Sequence, residues 1–423
     1  AVRKAPPVGA FFLLPSVFRP IFACAMPSSP AQPFLSRRVR EIQPFHVMEL
    51  LRRARELEAQ GRDIIHMEVG EPDFPTPTPM LEAAQRFLRS GQVQYTPALG
   101  LSALREAVAN YYLQRFGASP GAERIVITNG ASGALMLALA ATTEPGDEWL
   151  LPDPGYPSNR HLVRSFEGVA RALPVDAASR YQPTPAQVAT AWSERCRGLM
   201  VATPSNPTGT LLSPGEIAAL HHEISLRGGI LLVDEIYQGL SYGIEAATAL
   251  SLPSLADADN VFVVNSFSKY FGMTGWRLGW MVVPPAYVRE IEKLAQHFFI
   301  SPSAPAQHAA LAAFSPSTIE VLEQRRHELA LRRDALLPAL AAAGFIIAAE
   351  PQGAFYIYTD VSRLSTDSTA LARRLIEEAG VAATPGLDFG SHLPHRHLRI
   401  AYTTHRERLL EAVDRIRALG LSA

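Results

Sequence analysis

Residues 198–202 read GLMVA, residues 229–233 read GILLV and residues 261–264 read VFVV, and these three runs decide the fold. Each run is short, uninterrupted and rich in branched apolar side chains, which is typical of a strand that is covered on both faces. A helical pattern, 214–226, lies between the first two runs. Strands that alternate with helices in this way predict an open, mostly parallel α/β sheet.

The alternation extends outward from these runs. Strand-like runs also occur at 124–128 (RIVIT), 148–151 (EWLL) and 278–283 (LGWMVV), and helical patterns at 133–141, 185–194 and 285–296. From about residue 302 the pattern changes to α+β, which predicts a second, smaller domain. Its predicted elements are helices at 317–340, 369–379 and 406–419, and strand-like segments at 344–349, 353–358 and 397–402. Before the sheet, the sequence predicts a helix over 41–60 and a short strand over 64–69.

Composition excludes several classes of protein. The chain has 423 residues, of which 48% are hydrophobic and 19% charged, so we expect a globular protein with a large core. The net charge of −1 gives no basic surface for a nucleic acid. No apolar run is long enough to span a bilayer, so we expect no membrane partner. Two cysteines, Cys24 and Cys196, cannot form a disulfide framework and favour a cytoplasmic location.

The first residues have a different composition. Residues 1–40 contain no acidic side chain, and residues 8–25 are apolar and end in small residues, as signal or transit segments do. Because prolines and an arginine interrupt this stretch, we favour a start codon assigned upstream of Met26, with a disordered tail as the alternative. Residues 1–30 are therefore expected to be a disordered or non-native extension. Mass spectrometry of the natively expressed protein tests this, and an N-terminus upstream of Met26 would contradict it.

Polar residues follow the predicted strands. In open α/β sheets, ligands bind beyond the carboxyl ends of the strands, so these residues are expected to converge at one edge. They are NGASG at 129–133, PDPGYP at 152–157, TPSNPTG at 203–209, DEIY at 234–237 and NSFSK at 265–269. The small residues at 130–133 expose backbone N–H groups at a helix N-terminus, which is a natural seat for phosphate. Taken alone, however, that segment could be an ordinary strand–helix turn.

Two charged residues at this edge suggest chemistry. A carboxylate at Asp234, after a very apolar strand, is costly unless a cation pairs with it, although a helix cap or a salt bridge could also account for it. Lys269 could be a solvated surface lysine. Its place after a buried strand argues instead for an amine whose pKa is lowered from its usual value of about 10.4 by burial and neighbouring cations. Ser266, Ser268 and Arg277 lie close to it in sequence and could complete a phosphate site.

Four motifs resemble one known family. They are GEPDF at 70–74, PSNPTG at 204–209, DEIY at 234–237 and SFSKYFGMTGWRLGW at 266–280, in that order. In sequence and spacing they are similar to the motifs of the class I/II pyridoxal-phosphate-dependent aminotransferases, of the aspartate aminotransferase superfamily (fold type I). The resemblance extends from about Leu35 to the C-terminus.

The resemblance implies roles at the matched positions. Lys269 would hold pyridoxal 5'-phosphate as a Schiff base and carry the substrate proton, while Asp234 would pair with the pyridine nitrogen. The remaining cofactor contacts fall into three groups. Tyr237 and Asn206 would hold the ring oxygen, Tyr156 would stack on the ring, and Ala131, Ser132, Ser266, Ser268 and Arg277 would bind the phosphate. Lys269, Asp234 and Tyr237 would be the catalytic residues.

The resemblance also implies substrates, a partner and an architecture. The substrates would be an L-amino acid and a 2-oxo acid in a ping-pong reaction. Arg399 would hold their carboxylate, and Gly70, Asn206 and Phe355 would line the substrate side. Tyr95 would reach the active site of the other subunit of a homodimer. Residues 75–301 would form a large domain around a mostly parallel seven-stranded sheet, and segments 31–74 and 302–423 would form the smaller α+β domain.

Two other functions fit the same motifs. A related enzyme on the same fold (a carbon–sulfur lyase, decarboxylase or synthase) and a non-catalytic, cofactor-binding regulator are the alternatives. In one aspartate-preferring subgroup a lysine stands at the position of Ser132, and its absence makes that route to acidic substrates less favoured. Residues 296–305 are expected to line the pocket with apolar groups, which would favour neutral or aromatic substrates. The histidines have no metal-site spacing, and the arginines of 325–333 are expected on a solvated helix face.

Overall fold

A long sheet positions the five polar segments that lie between residues 129 and 269. The computed structural model describes residues 34–245 and 247–422. The predictions made for residues 1–30 lie outside the described residues. Residues 34–41 belong to a separate N-terminal unit and contain the helix α1 (Arg37–Glu41), in which Arg37 donates to Glu41. All elements discussed below belong to residues 42–423.

The helices and strands follow in chain order. The helices after α1 are α2 (His46–Ala59), α3 (Thr78–Arg89), α4 (Ser102–Phe116), α5 (Gly130–Thr142), α6 (Pro157–Ser165), α7 (Pro185–Ala191), α8 (Pro214–Ser225), α9 (Pro253–Ala256), α10 (Val288–Phe298), α11 (Ala304–Ala310), α12 (Pro316–Ala342), α13 (Ser368–Arg374) and α14 (Arg406–Ala418). The strands are β1 (Ile65–His66), β2 (Ile125–Thr128), β3 (Glu148–Asp153), β4 (Val169–Pro174), β5 (Cys196–Ala202), β6 (Ile230–Asp234), β7 (Val261–Ser266), β8 (Gly279–Val282), β9 (Tyr356–Asp360), β10 (Val381–Ala382), β11 (Thr384–Pro385) and β12 (His397–Ala401).

The main sheet has seven strands in the order β2-β8-β7-β6-β5-β3-β4. Strand β8 is antiparallel to both of its neighbours, whereas the other pairs are parallel. The predicted mostly parallel sheet is therefore confirmed. Because every strand except β8 runs the same way, the carboxyl ends of β2, β3, β5, β6 and β7 lie at one edge.

Both faces of the sheet are covered. Along β6, Leu231 and Val233 belong to one apolar cluster, and Ile230 and Leu232 belong to another on the opposite face. Helix α5 packs in the second cluster and is apolar on nearly all sides, which explains its burial against the sheet and α10. Strands that are enclosed in this way need no polar face, and this is why they were recognisable as continuous apolar runs.

Two smaller sheets lie outside the main one. Strands β11, β12 and β9 form an antiparallel sheet, and β1 pairs in parallel with β10 through Ile65 and Val381. The predicted α/β class with a separate small sheet is confirmed. The domain boundaries at 74 and 301 stay predictions, with which the pairing of β1 and β10 is compatible.

Some local expectations were wrong. Segment 344–349 is not a strand, because Ile346 makes a single bridge to Asp360. Strand β4 was not among the predicted runs, because it lies at the sheet edge and Leu173 is the one buried residue of its six. Arg332 and Arg333 are buried and not solvated, with Arg332 bound to Asp73. Among the helices of the described residues, none is both long and apolar enough to cross a bilayer.

Candidate active site

A cavity of about 360 Å³ lies at the edge where the parallel strands end. This is within the usual size of a small-molecule site. All but two of the residues predicted from the sequence line it. The predicted residues that line the cavity are Gly70, Ala131, Ser132, Tyr156, Asn206, Asp234, Tyr237, Ser266, Ser268, Lys269, Arg277 and Arg399. Their convergence follows from the sheet, because most of these groups come from the ends of different strands or from the loops after them.

Lys269 follows β7 and reaches into the cavity. Its ammonium group donates to the backbone oxygen of Gly70 at 2.7 Å and lies 5.8 Å from the ring centre of Tyr237. Burial lowers the pKa of Lys269 to about 8, with Glu71 opposing this effect and Arg399 adding to it. A lysine with this pKa has a substantial neutral fraction near pH 7–8, and the neutral amine is the nucleophilic form.

Asp234 is buried at the end of β6, the strand beside β7. One carboxylate oxygen accepts from the N–H of Ile236 at 3.0 Å. Burial raises the pKa of Asp234 to about 6, against the opposing effects of this hydrogen bond and of Lys269. The raised pKa means that the carboxylate is poorly stabilised by the protein alone, so a cation in the cavity would improve its environment.

Hydroxyl, amide and guanidinium donors gather at one side of the cavity. The hydroxyl of Ser266 donates to Ser268 at 2.9 Å, and Arg277 lies 3.5 Å from the same oxygen of Ser268. Beside them α5 begins at Gly130, and the residue before it, Asn129, makes no side-chain cap. The first amides of this buried helix are thus free of a side-chain cap from Asn129, and the donor set suits an anion such as phosphate.

Arg399 on β12 is a second seat for an anion. It is 5% exposed, and its acceptors among the described residues are all neutral: the Asn206 side chain at 3.0 Å, the backbone oxygen of Glu68 and the Thr384 hydroxyl. A buried guanidinium without a carboxylate partner is costly. The arrangement therefore favours a ligand that carries a carboxylate, which a guanidinium binds with two hydrogen bonds.

Tyr356 is a site residue that the sequence did not single out. Its hydroxyl lies 3.0 Å from that of Tyr237, and the Arg399 guanidinium lies 4.3 Å from its ring centre. Burial raises the pKa of Tyr237 well above its usual range, and Tyr356 adds to this effect, so Tyr237 stays a neutral donor. The signal for Tyr356 was present in the run YIY, which places a tyrosine on each side of Ile357 along a strand.

Two predicted residues do not line the cavity. Phe355 packs behind it, with its ring centre 5.7 Å from the Lys269 ammonium group and 5.3 Å from the Tyr237 ring. Tyr95 is 82% exposed. The segment after Tyr95 is held in place because the buried Gln307 donates to Thr96 and accepts from the Leu101 N–H.

One wall of the cavity comes from Phe45 and the first turns of α2. Phe45, Val47, Met48 and Leu51 line the cavity with apolar side chains, and the Phe45 ring lies 6.4 Å from that of Tyr156. Residues 296–305 do not border the cavity of their own chain, and the expectation that they line the pocket stays a prediction. Helix periodicity predicted α2 itself, but it carries no information on which cavity that helix covers.

The chain is similar to known proteins in sequence and in structure. Residues 62–416 match the model of the family described as aminotransferase class I and II. The chain belongs to this family. The aminotransferase is 36% identical over 375 residues to the valine–pyruvate aminotransferase of Mycobacterium tuberculosis, a match that covers 89% of this chain and 96% of that protein.

Solved structures agree with this membership. A crystal structure of an aminotransferase from Mycobacterium tuberculosis is 34% identical, has a TM-score of 0.87 and covers 92% of this chain and 99% of its own. The aspartate aminotransferase from Thermus thermophilus with maleate is 33% identical, with a TM-score of 0.85 and coverage of 92% and 100%. The aminotransferase is therefore a transaminase that depends on pyridoxal phosphate.

The residues present fit this cofactor. It carries a phosphate, a pyridine nitrogen and an aldehyde, and the cavity offers the donors around Ser268, the buried carboxylate of Asp234 and the amine of Lys269. Near the donors around Ser268, Gly279 lets the backbone of β8 approach the start of α5 closely, because a Cβ at this position would lie 2.8 Å from the Ala131 nitrogen. No group of three or more metal-ligating side chains occurs within residues 34–245 and 247–422.

Proposed function

We propose that this aminotransferase moves an amino group from an L-amino acid to a 2-oxo acid in two half-reactions, with Lys269 as the residue that holds the cofactor and carries the proton. The observation that supports this most strongly is the placement of Lys269 and Asp234. Asp234 stands at the end of β6 and Lys269 in the loop after the neighbouring strand β7, the amine with a lowered pKa and the carboxylate with a raised one. Such opposed shifts are typical of acid–base pairs at active sites.

Each residue has a distinct task in this proposal. When bound, pyridoxal phosphate supplies an aldehyde that condenses with amines and a ring that withdraws electrons from the substrate Cα. Asp234 would stabilise positive charge on the ring nitrogen, while Tyr237 and Asn206 would donate to the ring oxygen. Tyr156 would stack on the ring. Lys269 would hold the cofactor through its amine and, when that amine is free, would carry the proton of the substrate Cα.

Arg399 orients the substrate in this proposal. Its neutral acceptors leave its charge available for the substrate carboxylate. Both the amino acid and the 2-oxo acid carry that group, so one guanidinium serves both half-reactions. Gly70 accepts from the amine of Lys269 through its backbone oxygen and would line the substrate side. Phe355, predicted as a substrate contact, acts from behind by fixing Tyr237 and Lys269.

We also propose a homodimer in which Tyr95 binds the cofactor phosphate of the other subunit. Tyr95 is an exposed aromatic residue on a segment that Gln307 holds in place, and Leu88, Val93 and Ile300 are exposed apolar residues of the same chain. Such exposed apolar side chains would mark an interface where they join into one patch. A cytoplasmic location is proposed from the low cysteine content.

Lys269→Ala tests the proposed function. We expect turnover to fall by roughly 10²–10⁴-fold or more, because the group that transfers the proton is removed. The absorbance of the covalently bound cofactor should disappear, while the dimer and its unfolding temperature in the absence of cofactor should be retained. Normal turnover in this variant would contradict the proposal.

A panel of amino donors with 2-oxoglutarate and pyruvate tests the reaction type. Transfer of the amino group with an equal amount of 2-oxo acid formed from the donor supports the aminotransferase. Release of ammonia, carbon dioxide or a thiol without transfer would point to one of the other enzymes on this fold.

A further inference from the structure

Helix α2 begins without a cap of its own. The residue before it, Phe45, offers no side-chain acceptor, so the first N–H groups of the helix need one from elsewhere. Asp388 supplies it: its carboxylate accepts from His46 N–H at 2.9 Å and from Val47 N–H at 3.4 Å. Asp388 is buried, and its negative charge stands at the positive end of the helix dipole.

Asp388 is itself held by the loop that contains it. The 388–391 loop (Asp388, Phe389, Gly390 and Ser391) is bound to the segment that carries Tyr156. Gly155 N–H donates to the Phe389 oxygen at 2.9 Å, and Arg160 donates to the Asp388 oxygen at 3.0 Å. Ser391 donates to the buried Asp153 from both its N–H and its hydroxyl. The loop is thus a fixed support between β3 and α2.

The same loop also borders the carboxylate seat. The ring of Phe389 lies 4.8 Å from the Arg399 guanidinium and lines the cavity. Two adjacent residues therefore contact two parts of the site. Phe389 borders the place where the substrate carboxylate binds, and Asp388 holds the helix whose apolar side chains face the cavity. The loop thus links the carboxylate seat to the start of the apolar wall.

We infer that Asp388 is a positioning residue that sets substrate specificity: by capping α2 it holds the wall of Phe45, Val47, Met48 and Leu51 against the substrate side chain, so that the site takes amino acids with larger apolar side chains. This inference rests on the proposed function.

Asp388→Ala, Asp388→Asn and the control Thr184→Ala test the inference. Thr184 caps α7, which does not border the cavity, so its loss removes a helix cap without touching the site. With 2-oxoglutarate as acceptor, we expect Asp388→Ala to raise KM for L-leucine by about tenfold, which is at the lower end of the effect of one methylene contact. For L-alanine, whose side chain is too short to need the wall, KM and kcat should stay within about twofold. Asp388→Asn keeps an acceptor oxygen and should be intermediate.

Hydrogen exchange provides a readout that does not depend on turnover. The amides of His46 and Val47 should exchange faster than in the wild type in Asp388→Ala, and at the wild-type rate in Thr184→Ala. Equal changes for leucine and alanine, or unchanged exchange at these amides, would overturn the inference. If Asp388→Ala does not fold, the same comparison is made with Asp388→Asn. If the wild-type enzyme transfers no amino group from any donor, the proposed function fails and the specificity role fails with it, while hydrogen exchange still reports whether Asp388 holds α2.

Discussion

Among single residues, His66 links the N-terminal strand to two carboxylates. Its ring nitrogens lie 2.7 Å from the buried Glu68 and 3.0 Å from Glu58 of α2. The hydrogen bond to Glu68 raises the pKa of His66 to about 9, although burial opposes this, and Glu58 adds to the increase. The protonated imidazole is therefore stabilised in the folded protein compared with the unfolded chain, where its pKa is about 6.5.

This difference predicts how stability depends on pH. Because the folded pKa is the higher one, the contribution of His66 is complete below about pH 6.5 and is lost as the pH rises through 9. His66→Gln should lower the Tm by a few degrees at pH 6 and by almost nothing at pH 10. Thermal unfolding of both proteins at several pH values measures this. A Tm difference that is independent of pH would contradict the charged pair.

Gly70 makes a second prediction at the residue scale. A Cβ at this position would clash with the hydroxyl oxygen of Tyr356 and would lie 3.2 Å from the Cζ of that ring. Gly70→Ala should therefore displace Tyr356, which contacts Tyr237 and Arg399, and lower kcat/KM by roughly 10–100-fold. Adding Tyr356→Phe removes the clashing atom, so the double variant should regain part of the loss. A double variant that is worse than both single variants would rule out this mechanism.

The same residues show how far sequence reasoning extends. Lys269, Asp234 and Asn206 were predictable because strand ends converge at one edge of a parallel sheet. The choice between Phe355 and Tyr356 was not, because neighbouring strand residues point to opposite faces and the sequence does not say which face meets the cavity. Asp388 was also out of reach, since its partners lie more than three hundred positions away in the chain.

At the scale of elements, the contact between β8 and the start of α5 is unusually close. A Cβ at Gly279 would lie 2.7 Å from the Gly130 carbonyl carbon and 2.8 Å from both the Ala131 nitrogen and the Asn265 oxygen, all backbone atoms that cannot rotate away. Gly279→Ala should lower the free energy of unfolding by about 1–3 kcal/mol and weaken phosphate binding.

Gly275→Ala is the matched control for this prediction. Gly275 lies in the loop that leads to β8, but a Cβ at this position would have no other atom within 4 Å, so the free energy of unfolding should change by about 0.5 kcal/mol or less. Urea unfolding measures both variants, and binding of inorganic phosphate can be followed separately. Equal stability of the two variants would show that the backbone at the α5 terminus adapts.

Elements differ in how well they can be predicted from the sequence. The central strands β5, β6 and β7 were predictable because both of their faces are buried. The edge strand β4 was not, because one of its six residues is buried and it has no strong apolar run. The antiparallel direction of β8 could not be predicted either, since a continuous apolar run does not indicate which way its strand runs in the sheet.

At the scale of the whole molecule, the proposed dimer predicts complementation between two inactive variants. Lys269→Ala removes the reactive amine, and Tyr95→Ala removes the residue proposed to enter the other subunit's site. In a mixed dimer, the Tyr95→Ala subunit keeps its Lys269 and receives Tyr95 from its partner. Unfolding and refolding equal amounts together should therefore restore about a quarter of the wild-type activity, because half of the dimers gain one complete site.

The control for complementation is each variant refolded alone, which should stay inactive if Tyr95 is essential. A mixture that is no more active than the sum of the separate variants would contradict the shared site. Size-exclusion chromatography with light scattering checks that mixed and separate samples have the same mass.

The class of fold was predictable at this scale, because alternation of strands and helices constrains topology strongly.

Strand β8 also has a consequence for synthesis on the ribosome. Strand β2 is the first strand of the main sheet to emerge, yet its partner in that sheet is β8, through pairs such as Ile125 with Val282. In the nascent chain, the apolar β2 therefore stays without its sheet partner until β8, which follows β7, has been synthesised. Arg399 emerges later still, on β12. A nascent chain that stalls before β8 exposes an unsatisfied strand edge, so translation speed between these two strands should control how much of the enzyme aggregates.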